Sequence, residues 1–355
     1  MPQVVHAVQL PDGDQPVDLW VDATGCLTTD PVPGAERLPG NFVVPGLVDA
    51  HAHPAVGRDG AMPVALDRAE TLRVLAEWAA AGVCLVRDVG SPGGSVLELA
   101  LAPGMPRLQA AGRFLAPAGR YFPALLPEAA PEQLLTDLAL AELARGASWV
   151  KLIADFPPVV DGVPAGPSSL TYSLDAVAAM VAAVHAAGGR VAAHVNTEAV
   201  AELARAGVDS IEHGVAIEEE TLRLMARAGT AWTPTLCAVF KIPDTAPEPV
   251  VQRAAEYRRR LRELLPLAER LGVPVLAGTD TAGTIAREVA LLAEHGLDPV
   301  TALSAATTTG YRFLGEPAGL PGRPVTLVTY QDDPREDLAV LSSPSAVLID
   351  GVRVR

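Results

Sequence analysis

The chain has 355 residues, enough for one large domain and a small one around a sizeable buried core. Its formal charge of −15 argues against nucleic acid or an anionic membrane as the main partner. Cys26, Cys84 and Cys237 are too few and too scattered for a disulfide framework or a cysteine metal site.

Residues 1–15 show no basic stretch followed by an apolar core, so no signal peptide is expected and the chain reads as cytoplasmic. The Ala-rich stretch 174–195 is long enough to raise the question of a membrane span. Asp175, His185, Arg190, His194 and the Gly188-Gly189 break fit a helix followed by a strand better. Of the 27 basic residues only Lys151 and Lys241 are lysine. Where arginine supplies the ordinary surface charge, a lysine inside an apolar strand needs a reason beyond a snorkelling side chain.

Residues 1–42 read as short strands and turns, a small β piece. From Val43 apolar strands alternate with helices rich in Ala, Leu, Glu and Arg. The first strand ends in Asp49-Ala50-His51-Ala52-His53, and period-2 alternation puts Asp49, His51 and His53 on one face. The second is expected at 83–89, and the third at 107–115. Strand four is Trp149–Ile153, followed by a Pro/Gly-rich loop over 155–169. Strand five is 190–194, strand six 210–213, strand seven 230–236 and strand eight 273–278, leading into Thr279-Asp280. Helices are expected at 67–81, 95–102, 131–145, 174–187, 197–205, 218–228, 249–271, 285–295 and 299–314.

Eight strands alternating with helices define an α/β fold of (β/α)₈ TIM-barrel type over residues 43–318. An open doubly wound sheet is the competing reading. The count of eight, and the lack of a Gly-x-Gly-x-x-Gly after any early strand, favour the barrel. From Gly319 short strands return, with a hairpin signal at Asp350-Gly351. Residues 1–42 and 319–355 are therefore expected to form one small β-sandwich beside the barrel.

In such a barrel the chemistry sits at the C-terminal strand ends. Those ends carry His51, His53, Lys151, His194, His213 and Asp280. Four of the seven histidines fall there, while His6, His185 and His295 lie in the N-terminal piece or on helices. A converging set of imidazoles and a carboxylate suits zinc, and also manganese, iron or nickel.

The stretches 43–53 (VVPGLVDAHAH), 81–90 (AGVCLVRDVG), 149–153 (WVKLI), 192–195 (AAHV), 207–214 (GVDSIEHG), 277–280 (AGTD) and 321–328 (PGRPVTLV) appear in one order. Together they resemble the amidohydrolase superfamily over nearly the whole chain. The likeness is to the branch of imidazolonepropionase-like proteins and metal-dependent Xaa-Pro and Xaa-Arg dipeptidases. It implies two divalent metal ions, zinc in the first instance. His51, His53 and Asp280 would hold one ion, and His194 and His213 the other. Lys151, carboxylated by CO₂ to a carbamate, would bridge them. A hydroxide shared by the metals would attack an amide C–N bond, with Asp280 moving the proton. The substrate implied is small, a dipeptide or N-acyl amino acid, and homo-oligomer formation stays open.

Asp49 is read as orienting a ligand imidazole, Thr279 and Thr281 as partners of the Asp280 carboxylate, and Arg87-Asp88 as an internal ion pair. Glu212, next to His213, is expected to face away from the mouth. Tyr172, Arg120 and Tyr121 are candidates for substrate contact, with Arg120 placed to take a carboxylate. An alternative is a single-metal cyclic-amide hydrolase or a deaminase. Those enzymes carry a glutamate three residues after the strand-five histidine, where this chain has Thr197, with Glu198 one further on. A non-catalytic barrel is the reading of another class.

Overall fold

The apolar runs become barrel strands buried on both faces, as parallel strands covered by helices must be. In the computed structural model, which describes residues 1–60, 62–241, 246–316 and 322–355, the barrel opens with Leu47–Ala52 and Val83–Asp88. The third strand is broken into Arg107–Ala110, paired with the second, and Phe114–Leu115, paired with the fourth. Trp149–Ile153, Arg190–Val195, Ser210–His213 and Ala231–Thr233 follow in parallel order. Residues 273–280 close the ring through the bridges Trp232–Val275 and Ala52–Asp280. Backbone bonds from Ala50 N to Ala277 O (2.9 Å) and from Asp280 N to His51 O (2.7 Å) hold that seam.

The inner barrel packs Val48, Ala50, Leu85, Ala111, Ala192, Ala231 and Leu276 around Trp149. The small alanines leave room for a charge: the Arg87 guanidinium lies 4.5 Å from the Trp149 ring centroid, wholly buried. A larger apolar layer joins the strands to the surrounding helices.

Eight strands from both chain ends form one continuous sheet, joined where Phe42–Val44 runs antiparallel to Leu327–Tyr330. Alternate residues Val5, Ala7, Val21, Val43, Leu327 and Leu348 make its own core. The intervening Val44, Val328, Tyr330, Val347 and Ile349 pack into the barrel's apolar layer. The sheet continues to Val44 rather than stopping at residue 42. The other expected boundary, 318/319, lies outside the described residues. Asp350 and Gly351 make the expected hairpin, both with positive φ.

Three expectations change in detail. The loop after strand four is not structureless: Asp155–Phe156 pairs with Ser169–Leu170, and Val159–Val160 with Val163–Pro164. The helix expected over 299–314 is two, Pro299–Ala305 and Thr308–Leu314, broken where the Thr307 hydroxyl bonds back to Leu303 O. The segment 95–102 is instead a short 3₁₀ stretch, Pro92–Glu98, containing two left-handed glycines.

Candidate active site

The four strand-end histidines share the barrel mouth, and hydrogen bonds fix the tautomer of three. His53 Nδ1 donates to Gly90 O at 2.7 Å. His213 Nδ1 lies 2.6 Å from Thr235 Oγ1, whose own proton goes to Pro234 O, so the imidazole donates. His51 Nδ1 lies 2.5 Å from Glu212 Oε2. In each ring Nε2 is then the nitrogen with a lone pair to give. His194 is set the other way round, its Nε2 lying 3.3 Å from Asn196 Nδ2 and 4.0 Å from Asp155 Oδ1.

Burial first, then the neighbouring Lys151 amine, lowers the pKa of His53 and His194 to about 3. Burial drives His51 and His213 well below the ordinary range too. The imidazoles are neutral, the form that ligates. His51, His53 and Asp280 bring ligand atoms within 4.8 Å of one another, while the His194 and His213 rings are 4.6 Å apart.

Lys151 enters from strand four with 1% of its surface exposed, and among the described residues its Nζ has no hydrogen-bond partner. Burial lowers its pKa to about 8. His51 Nε2 is likewise buried without a hydrogen-bond partner among the described residues. An orphaned imidazole nitrogen and an orphaned amine among neutral histidines and a carboxylate fit a metal centre, because each would otherwise be a desolvated group left unsatisfied.

Backbone strain marks the same place. His213, Thr235 and Asp280 have φ values of 66°, 49° and 57°, left-handed conformations uncommon outside glycine. The tight seam also explains Gly278: a Cβ there would sit 2.6 Å from the His51 Cβ and 2.7 Å from Thr233 Cγ2.

Several neighbours differ from expectation. Glu212 points inward rather than away. The left-handed His213 breaks the strand alternation, so successive side chains both enter the barrel. Glu212 Oε1 accepts from Arg87 Nη2 at 2.9 Å, and Arg87 Nε donates to Ala50 O. Arg87 thus pairs with Glu212 and not with Asp88. Asp49 does not reach an imidazole: its carboxylate accepts from Thr279 Oγ1 (2.6 Å), Thr279 N (3.1 Å) and His51 N (3.2 Å), tying strand one to strand eight. Thr279 is therefore spent on Asp49, while Thr281 Oγ1 accepts from Arg58 Nη2 at 2.8 Å.

The mouth is a cavity of about 280 Å³ lined by the four histidines, Lys151 and Asp280. Tyr121, Phe122, Leu125 and Phe156 form its apolar side, and Arg58 and Thr281 stand on the polar side with Asp280. Tyr121 is thus at the mouth, but Arg120 and Tyr172 are not. The Arg120 guanidinium is bound to Phe156 O and Ser169 O, both at 2.6 Å, and braces the loop. Tyr172 is buried and donates to Ala130 O at 2.8 Å.

Sequence reasoning missed Arg58 and Asp155. Asp155 Oδ2 accepts from Asn196 N (2.8 Å) and Thr197 N (2.7 Å), locking the turn after His194. Arg58 follows His53 by five residues on the strand Val56–Asp59, and that closeness was the available signal. Glu198 is exposed and does not line the cavity, so it does not replace the missing strand-five glutamate.

A (β/α)₈ barrel whose mouth gathers neutral histidines, a buried lysine and a carboxylate is the architecture of a metal-dependent hydrolase. The sequence matches the amidohydrolase family over residues 42–354, and the chain belongs to that family, whose members are metal-dependent hydrolases of carbon–nitrogen bonds. It is 36% identical to an uncharacterized protein of Mycobacterium tuberculosis, covering 98% of this chain and 94% of that protein. Among solved structures, a Xaa-Pro dipeptidase with bound methionine superposes with TM-score 0.81 at 22% identity, covering 99% of each chain. The A. niger ochratoxinase gives 0.80 at 20% identity, over 99% of this chain and 95% of that one. At these identities the likeness is one of fold. Among the described residues no helix is long and apolar enough to cross a membrane.

Proposed function

We propose that the chain hydrolyses the amide bond of a small carboxylated substrate, a dipeptide or N-acyl amino acid, at a two-metal centre. His51, His53 and Asp280 would hold one ion, and His194 and His213 the other. Lys151, as a carbamate, would lie between them. The observation that carries this reading is the Lys151 amine, buried without a hydrogen-bond partner among the described residues and with its pKa brought down to about 8. A neutral amine adds to CO₂ and releases one proton, and the product is a carboxylate-like ligand where a cation would be repelled. The imidazole and carboxylate donors suit zinc.

When bound, the ions supply Lewis acidity toward the scissile carbonyl and lower the pKa of the attacking water. The protein's own groups do the rest. Asp280 takes the water proton and returns it to the leaving nitrogen. Burial raises its pKa to about 6. Tyr121, Phe122 and Phe156 pack the apolar portion of the substrate and keep water from it. Arg58, beside Asp280 and Thr281, takes the carboxylate on the leaving-group side, the task first assigned to Arg120.

The test is a screen of the zinc-loaded protein with dipeptides and N-acyl amino acids, each paired with its carboxamide-capped analogue. Free carboxylates should be preferred, and Arg58→Gln should raise KM for them about 10-fold or more while leaving the capped analogues unchanged. Equal loss on both would remove Arg58 from carboxylate recognition. No turnover of any amide would overturn the reading.

A further inference from the structure

A second cavity of about 690 Å³ lies behind one wall of the first. Three elements enclose it: the single-turn helix Leu236–Val239 with Phe240 and Lys241, the long helix Glu248–Leu271, and the helix Ile285–Glu294. Arg258 and Arg262 stand four residues apart on the long helix and so share a face. Arg287, Leu291 and Glu294 face them from the other helix.

Among the described residues the charges do not balance. Arg287 is neutralised by Glu294 at 2.5 Å. His295 engages Leu291 O through Nδ1 at 2.8 Å, and burial holds its pKa below the ordinary value, so it adds no charge at pH 7. Lys241, Arg258 and Arg262 have no carboxylate within 4.0 Å among the described residues. Arg258 only stacks on Phe240, 4.4 Å from the ring centroid. Three cations without an ion-pair partner among the described residues therefore face one cavity in a chain of net charge −15, and one of them is one of its only two lysines. Like charges lining one groove repel, and an anion bound among them relieves that repulsion.

We propose that this groove binds a small polyanion of the phosphate class, at a site separate from the catalytic cavity. A single carboxylate would leave two of the three charges unmatched. A phosphate oxygen array meets two guanidinium forks and an ammonium with hydrogen bonds to each. The groove is coupled to catalysis by one helical turn. Cys237, Phe240 and Lys241, at i, i+3 and i+4, face the groove, while Ala238 and Val239 line the catalytic cavity. The same turn is pinned from behind by Glu288, whose carboxylate accepts from Leu236 N (2.7 Å) and Cys237 N (2.8 Å). Lys241 directly follows this pinned turn, so an anion gripping Arg258, Arg262 and Lys241 stiffens the wall that substrate touches.

The experiment titrates the full-length, metal-loaded protein with inorganic phosphate by calorimetry at matched ionic strength, with chloride as the control. One saturable site is expected, weakening as salt rises. Lys241→Gln, at an exposed position, should weaken it several-fold, and Arg258→Gln with Arg262→Gln by about 10-fold or more. Arg58→Gln, in the catalytic cavity, should leave it unchanged. Hydrogen exchange should slow in the peptide spanning residues 236–241 on phosphate addition, in the parent and not in the double variant. Binding that survives the groove substitutions, or is lost with Arg58→Gln, would place the anion elsewhere and overturn the proposal. So would the absence of saturable binding in the parent. Should the double variant fail to fold, Lys241→Gln alone decides.

Discussion

Glu212 and His51 are 161 residues apart in the chain and meet inside the barrel, with Glu212 Oε2 at 2.5 Å from His51 Nδ1. The other Glu212 oxygen holds Arg87, so a fully buried Arg–Glu–His chain ends at the imidazole nitrogen that faces the mouth. A carboxylate behind a histidine fixes its tautomer and raises its basicity as a ligand.

Glu212→Gln should therefore lower metal affinity by about 10- to 100-fold with the fold intact. Glu212→Ala also strands the Arg87 guanidinium in the barrel and should cost about 3–5 kcal/mol of stability. Competition with a chelator measures the first and urea unfolding the second. Unchanged metal affinity in Glu212→Gln would reduce the contact to packing.

Lys151→Ala should lose most bound metal, and Lys151→Arg should not restore it, because a guanidinium does not form the carbamate. Zinc reconstitution of the parent in CO₂-depleted buffer should be slow and incomplete until bicarbonate is added. Metal analysis reads both. Equal loading with and without bicarbonate would retire the carbamate.

Asp280→Asn should keep the cavity and lower kcat by about 10²- to 10⁴-fold, since the amide cannot accept the water proton. Circular dichroism checks the fold and steady-state kinetics the loss. A variant turning over at the parental rate would show that another group carries the proton.

Glu288 gives a pH prediction away from the metal ligands. Burial raises its pKa from 4.5 to about 7, so the folded state holds its proton where the unfolded state releases it. Its contribution is fully present below the unfolded pKa and is lost as pH rises through the folded one. The total is on the order of 3 kcal/mol between pH near 4.5 and pH near 7. Glu288→Gln should flatten this decline, read from unfolding free energies across that window. A variant with the parental slope would assign the titration to another buried acid.

The strand-end residues were legible because two periodicities announce a barrel, and a barrel puts all its strand ends on one face. His51, His53, His194, His213 and Asp280 stand at the ends of apolar runs and Lys151 interrupts one, so chain order alone gathered them. The Asp350-Gly351 hairpin was legible for the same local reason, since both residues accept positive φ. What neighbours those residues was not legible. Pairing by alternation with His213 sent Glu212 outward, but Glu212 shares the inward face of Ser210, and it is His213 that the left-handed turn swings to the mouth. Proximity in sequence linked Arg87 to Asp88, and Asp49 to an imidazole. Barrel closure gave Arg87 to Glu212, from strand six, and Asp49 to Thr279, from strand eight. Arg120 and Arg58 both follow barrel strands, and only the closeness of Arg58 to His53 separates them in the sequence. The hairpin Asp155–Phe156 with Ser169–Leu170 consumed Arg120, while the strand after His53 aimed Arg58 at the cavity. Local periodicity fixes which residues end a strand. Which distant group each one meets depends on strand register around a closed ring, and that is set by packing the whole core at once.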